Sequence, residues 1–268
     1  MNHPIAKSVS SDSLPSYKNP PVNEVICGIR FHVPEKLRFP HIGLLWEKFR
    51  MDYPIIQHAP PIASSKGDIP VDVATGIPLP RVWFINKSDD QLIQFQFDRF
   101  HFNWRRRQSD YPRYEHVIKN FERVTDLIMA FFTEFDLGEF NPIEYELSYI
   151  NHIPKGQGWN IIDDLPKIFS DFVWKQSTGR FLPNPANLSW RAEFALPEKK
   201  GHLIVSLKQA TRTEDKVPLF LFELTARGIG ENGSIREWFD VAHEWIVRGF
   251  TELTTPEVHL IWEREKDA

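Results

Sequence analysis

Apolar and polar residues alternate with two different periods along this chain, and the period changes mark its elements. From Val22 to Val33, Val25, Cys27, Ile29, Phe31 and Val33 fall on one side and Glu24, Arg30 and His32 on the other, which predicts a half-buried strand. His41 to Met51 carries Ile42, Leu45, Trp46 and Phe49 at helical spacing, and Tyr53-Pro54 ends it. Gln57 to Pro80 is rich in proline and reads as an irregular excursion and a candidate functional loop. Arg81 to Ile85 and Gln91 to Arg105 predict a hairpin around Asn86-Lys87-Ser88-Asp89-Asp90.

The second arm of that hairpin changes phase. Ile93, Phe95 and Phe97 mark one face, whereas Phe100, Phe102 and Trp104 mark the other, so the alternation slips at Asp98-Arg99. A β-bulge or sharp bend there restores one buried face; a strand buried on both faces is the alternative. Pro112 to Phe135 then shows a broad apolar stripe of a long helix, from Tyr114 and Val117 to Phe131 and Phe132.

The same order returns in the second half. Ile143 to Ile153 alternates as a strand, Asp163-Asp164 can cap a helix running to about Trp174, and Leu188–Leu196, His202–Gln209 and Leu219–Arg227 predict three more strands. Ser234 caps a helix to about Phe250, and Glu257 to Glu265 is a short closing element. Local identities repeat at an offset of about 120 residues: His32-Val33-Pro34 with His152-Ile153-Pro154, and Phe132-Thr133-Glu134-Phe135 with Phe250-Thr251-Glu252-Leu253. Leu44, Trp46 and Phe49 are answered by Leu165, Ile168, Phe169 and Phe172. The expectation is an α+β fold made of a duplicated strand-helix-antiparallel strands-long helix unit, a curved antiparallel sheet with helices on one face. Residues 1–19 read as a disordered lead-in, 20–138 as the first half and 139–268 as the second, packed as one globular unit.

Composition narrows the function classes. With 268 residues, 41% of them hydrophobic, the chain can bury a full core. A net charge of −4 argues against a surface that tracks phosphates throughout. Cys27 is the single cysteine, which removes internal disulfides and Cys-based zinc sites and fits a reducing cytoplasm. No segment approaches the roughly 18 to 20 apolar residues that span a bilayer, and the Ser-rich start lacks the apolar stretch of a secretion signal.

Several stretches, namely Pro21-Val22-Asn23-Glu24-Val25, Gln94 through Trp104, Tyr111-Pro112-Arg113-Tyr114, Glu146 through Ile153 and Thr254-Thr255-Pro256 to Trp262, together resemble a sporadically distributed family of uncharacterised bacterial proteins. The resemblance spans nearly the whole chain after residue 19 and implies a bacterial cytoplasmic setting without supplying catalytic residues. The strand-helix-strands-helix order also resembles the TATA-binding-protein-like fold, in topology only.

Alternation assigns a polar sheet face opposite the helices. Its candidate binding residues are Arg30, His32, Gln94, Gln96, Asp98, Glu146, His152, Glu223 and Arg227, accompanied by Glu144, Ser148, Arg191, Glu193, Ser206, Lys208 and Thr225. Such a face is either a solvated lattice of cross-strand ion pairs or a groove for a ligand or peptide. A metal-dependent hydrolase or nuclease built on Asp98, Glu146, His152 and Glu223 is an alternative, with His32 and His152 meeting if the halves are related by a pseudo-two-fold; no metal-ligand spacing such as HExxH supports it. Trp104, Arg105, Arg106 and Arg107, followed by Arg113, Lys119 and Arg123, form the basic-aromatic cluster that a nucleic-acid-binding accessory protein would use. Phosphate loops, nucleophile elbows and dinucleotide fingerprints are missing, and Gly228-Ile229-Gly230 lacks the third glycine at the right spacing, so no cofactor is implied. The favoured reading is a non-catalytic binding protein that uses the polar face and the Pro-rich loop to engage another protein or peptide.

Overall fold

The computed structural model describes residues 13–63, 69, 71, 76, 80–172, 181–183, 185–229 and 234–265. The chain is mixed α+β, with antiparallel strands and, among the described residues, five α-helices. It divides into two compact units, Glu24–Ser148 and a second one combining Met1–Asn23 with Tyr149–Ala268.

In the unit Glu24–Ser148, β1 (Val22–Phe31) is followed by α1 (Pro40–Phe49), β2 (Ile55–Ala59), β3 (Arg81–Ile85), β4 (Gln91–Gln96), β5 (Arg99–Arg105) and α2 (Tyr114–Glu134). The sheet order is β2-β3-β4-β5-β1, and β6 (Pro142–Pro154) comes next to β1. Aromatic side chains of one face hold the helices. Phe100 stacks on Phe121 of α2 at 5.9 Å, Phe31 meets Phe132 edge-on at 5.6 Å, and Phe84 lies 6.2 Å from Phe49 of α1. Pro40 starts α1, where a missing N–H costs nothing.

The second unit continues from β6 through α3 (Leu165–Ile168), β7 (Ser189–Ala195), β8 (His202–Thr211), β9 (Pro218–Gly228), α4 (Ile235–Leu253) and α5 (Pro256–Ile261). Its strand order is β6-β9-β8-β7. A capping box starts α4: the Glu237 N–H donates to Ser234 Oγ at 3.2 Å and Glu237 Oε2 accepts from the Ser234 N–H at 2.8 Å. In each unit the last strand before the long helix pairs with the first strand: β5 with β1, and β9 with β6.

Four expectations need correction. The segment Gln91 to Arg105 is two strands, and the phase slip is a hairpin turn at Phe97-Asp98, not a bulge; Gln96 pairs with Arg99 across it. Reversal puts Phe100, Phe102 and Trp104 on the same face as Ile93 and Phe95, which satisfies the burial demand that a bulge was expected to meet. Residues 55–59 belong to β2, an edge strand exposed along most of its length, rather than to an irregular excursion. The helix begun at Asp163-Asp164 ends at Ile168 because Phe169 turns extended and bridges to Thr254; Trp174 lies outside the described residues.

Finally, residues 16–19 are not a loose lead-in. Tyr17 is 5% exposed, sits against Phe250, His259 and Trp262, and its hydroxyl shares a 2.9 Å hydrogen bond with Thr251. The Lys18 and Asn19 N–H groups donate to the carbonyls of Glu263 and Trp262. This bonding gives a short peptide enough fixed contact to offset its ordering entropy.

Two glycines show how closely the second unit is packed. A Cβ at Gly201 would overlap the Arg227 carbonyl oxygen, and one at Gly228 would overlap the Lys200 carbonyl oxygen, so each strand end needs the other to be bare. Gly43 on α1 has open space around it. Gly201→Ala and Gly228→Ala are each expected to lower unfolding free energy by about 2–4 kcal/mol in urea titrations, while Gly43→Ala raises it by roughly 0.5–1 kcal/mol. A neutral Gly201→Ala would contradict the close approach. Arg113 enters α2 at φ 73°, ψ 156°, a conformation that favours glycine. Arg113→Gly is expected to raise the thermal midpoint, by relief of about 1–3 kcal/mol of backbone strain; an unchanged or lower midpoint counts against that strain.

Candidate functional site

The register of the unit Glu24–Ser148 fixes which side chains share the face turned away from its helices. Phe100, Phe102 and Trp104 face the helices, so Arg99, His101, Asn103 and Arg105 face the other way. Pairing sets Gln96 against Arg99 and Gln94 against His101 on one side of β5. On its other side it sets Arg30 against Arg99, Gly28 against His101 and Glu24 against Arg105. Trp83 on β3 lies opposite Gln94. The His101 ring lies over Gly28, where any Cβ would collide with it.

A relay of side-chain hydrogen bonds crosses these strands. Arg81 Nη1 donates to Gln94 Oε1 at 2.8 Å, Gln94 Nε2 donates to Asn103 Oδ1 at 2.8 Å, and Asn103 Nδ2 donates to Glu24 Oε1 at 2.6 Å. Arginine can only donate and the ionised glutamate only accept, so the two ends dictate the orientation of both amides between them. Asn103 is 1% exposed and Gln94 is also buried, which makes this pairing obligatory rather than decorative.

Beside the relay, Asp98 accepts from Gln96 Nε2 at 2.9 Å and from Arg99 Nε and Nη2 at 3.1 and 2.7 Å. Gln96 is fully buried and also holds main chain. Its Oε1 accepts from the Ile62 N–H at 2.8 Å and its Nε2 donates to the Ile62 carbonyl at 3.0 Å. Arg30 pairs with Glu144 at 3.3 Å at the other end of the face.

The remaining sequence candidates behave differently. His32 is exposed, and its N–H donates to the Asn141 carbonyl. Glu146 Oε1 accepts from Ser148 Oγ at 3.3 Å. In the second unit, Glu223 meets Lys208 at 3.8 Å and Ser206 at 3.4 Å, and Glu193 meets Arg191 at 3.4 Å and His202 at 3.2 Å. These contacts are long and solvated, the kind that contribute little. Arg227 lies opposite His202. His152 is half-buried in this unit, and burial followed by the nearby Arg212 charge lowers its pKa.

His32 and His152 therefore belong to different units. Among the described residues no cluster of three or more His, Cys, Asp or Glu side chains is arranged to hold a metal ion. The Trp104 ring is 2% exposed and lies 5.4 Å from Tyr111, so a base has no access to stack on it. Arg105 and Arg107 both pair with Asp89, the latter at 2.7 Å, which takes charge away from a phosphate grip. Cys27 is buried, and desolvation raises its thiol pKa far out of the reactive range. Among the described residues no helix is long and apolar enough to cross a membrane.

Sequence reasoning placed Glu24 on the polar side of β1 but missed Arg81, Trp83, Arg99, His101 and Asn103 as members of the polar face. The signal was present in the alternation Phe100-His101-Phe102-Asn103-Trp104, but it is assignable only once the turn at Phe97-Asp98 is known. No family model matches the chain, and neither a curated protein nor a solved structure matches it.

Burial holds His243 down to about pKa 4, and it lowers His259 as well as His152. The unfolded chain then binds protons that the folded chain refuses, so stability falls as pH drops from about 6.5 towards 4. Urea midpoints measured across that window are expected to decline with acidification. His243→Gln should flatten the slope, and a wild-type midpoint that is constant from pH 7 to 4 would remove these histidines from the balance.

Proposed function

We propose that this is a non-catalytic binding protein that presents the polar sheet face of the unit Glu24–Ser148 to a protein or peptide. The observation that carries this reading is the grip of Gln96 on Ile62. One side-chain amide on the sheet face satisfies both the N–H and the C=O of one residue, Ile62, as a neighbouring strand would. The relay from Arg81 to Glu24 holds its amides in fixed orientation, which lowers the cost of ordering the face when a partner arrives. The pairing of Arg105 and Arg107 with Asp89 offsets part of their charge, which favours a protein partner over nucleic acid. Glu223, His152 and Arg227, on the solvated lattice of the second unit, take a secondary part in this reading.

We further infer that the two units descend from one strand-helix-strands-helix element. The repeated neighbour order, β1-β5-β4-β3 and β6-β9-β8-β7, supports it, as does the offset of about 120 residues between local identities. The same order is the topological support for a TATA-binding-protein-like ancestry. The setting we assign is the bacterial cytoplasm, as the family resemblance implies.

The test uses the full-length protein to capture a partner from extract, identifies that partner, and rebuilds the complex from the two purified proteins. Arg30→Ala combined with Glu144→Ala should weaken it by about tenfold, equivalent to about 1.4 kcal/mol, with little change in thermal midpoint because the pair is part-exposed. Arg191→Ala, in the second unit, should have little effect on affinity. Association that is indifferent to Arg30 and Glu144, or lost only together with folding, would sink the reading.

A further inference from the structure

The guanidinium groups on the polar face of the unit Glu24–Ser148 are matched to acids with one exception. Arg99 has Asp98, Arg30 has Glu144 and Arg105 has Asp89. Among the described residues Arg81 has no carboxylate partner; its one side-chain acceptor is the neutral amide of Gln94. Burial comes first among the influences on this group and the neighbouring Arg99 charge second, and both depress its pKa. Among the described residues nothing acidic compensates them.

Arg81 is nevertheless held in place. Its guanidinium carbon lies 5.5 Å from the Trp83 ring centroid, so the group rests on the indole, and the bond to Gln94 fixes its rotation. The Arg81 Nε–H and the Trp83 Nε1–H are both buried without an acceptor. A donor left in this condition costs about 1–3 kcal/mol and is rare enough to require a reason. Arg81 as a whole remains half-buried, so part of it is open to solvent. The pairing that sets Val82 against Phe95 also brings Arg81 alongside Gln96, the residue that grips main chain.

From these features we infer that Arg81, seated on Trp83, is the receptor for a carboxylate carried by an extended peptide or protein segment that crosses the polar face. A planar carboxylate supplies the acceptor-only partner that a fixed guanidinium lacks, and the adjacent Gln96 shows the chemistry by which the face accommodates peptide backbone. A phosphate would satisfy the charge, but the acids Asp98, Glu24 and Glu144 spread over the same face oppose a continuous phosphate chain. The inference rests on the polar-face reading and adds the chemical class of the ligand.

Titration of the full-length protein tests it. The probes are an acetylated, amidated hexapeptide of alternating valine and glutamate, the same peptide with glutamine in place of glutamate, and a single-stranded oligothymidylate. The glutamate peptide should bind about tenfold more tightly than the glutamine peptide. Arg81→Gln should abolish that preference, and Arg81→Lys, which keeps the charge and loses the planar fork, should retain part of it at an unchanged fold. Equal binding of the two peptides, or binding of neither, overturns the inference. So does a glutamate preference that survives Arg81→Gln, or Arg81-dependent binding of the oligonucleotide in place of the peptide. The two readings fail separately: a partner complex that depends on Arg30 and Glu144, with no glutamate preference, keeps the face and removes the carboxylate. A glutamate preference carried by Arg81, with no role for Arg30 and Glu144, keeps the carboxylate and confines the binding surface to the part of the face around Arg81.

Discussion

A slip of one residue between β4 and β5 would carry Gln94 and Gln96 into the aromatic layer beneath the helices and bring Ile93 and Phe95 into water. The turn at Phe97-Asp98 prevents it, and the side-chain chemistry of the unit Glu24–Ser148 depends on that register. Phe97 is buried and the Asp98 carbonyl accepts from the Phe31 N–H, which ties the turn to β1 as well. With the register set, the donors and acceptors of four successive strands come into line, and the relay from Arg81 to Glu24 closes without a gap.

The two units solve the problem of a polar sheet face in different ways. In the unit Glu24–Ser148 the amides of Gln94, Gln96 and Asn103 are buried, so each missing hydrogen bond would cost about 1–3 kcal/mol and the network has to be complete. In the second unit Glu193, Glu223, Lys208 and Arg191 keep much of their hydration, and their contacts at 3.2 to 3.8 Å tune the surface without ordering it. Alternation of charge along a strand looks the same in both cases. In the unit Glu24–Ser148 main chain also meets the face, where Ile62 bonds to Gln96.

An ordered polar face is suited to recognition because its groups are already oriented. The ends of the relay, one a permanent donor and the other an acceptor, hold the intervening amide dipoles in one sense, and the Arg81 guanidinium is fixed on Trp83 before any ligand arrives. Flexible Lys or Glu side chains would lose rotamer entropy on binding that these residues have already given up on folding.

The sequence by itself determined the mixed α+β class, the apolar stripe of α2, the Ser234 cap of α4 and the burial of Cys27, because each follows from the local period or from a neighbouring residue. It also supplied Arg30, Gln94, Gln96 and Asp98 as polar positions, since alternation of residues on a strand needs no partner to be legible. Tertiary structure alone decided that Phe97-Asp98 reverses the chain, because one turn-favouring residue, Asp98, does not fix a reversal, and a reversal and a bulge give the same alternation. It alone decided that Tyr17 anchors the N-terminal segment and that Trp104 is packed rather than open, because both depend on residues far away in the chain. The pairing of Arg99 with Asp98 and the absence of an acid beside Arg81 among the described residues belong to the same class: a strand pattern says which way a side chain points, and only the fold says what it meets there.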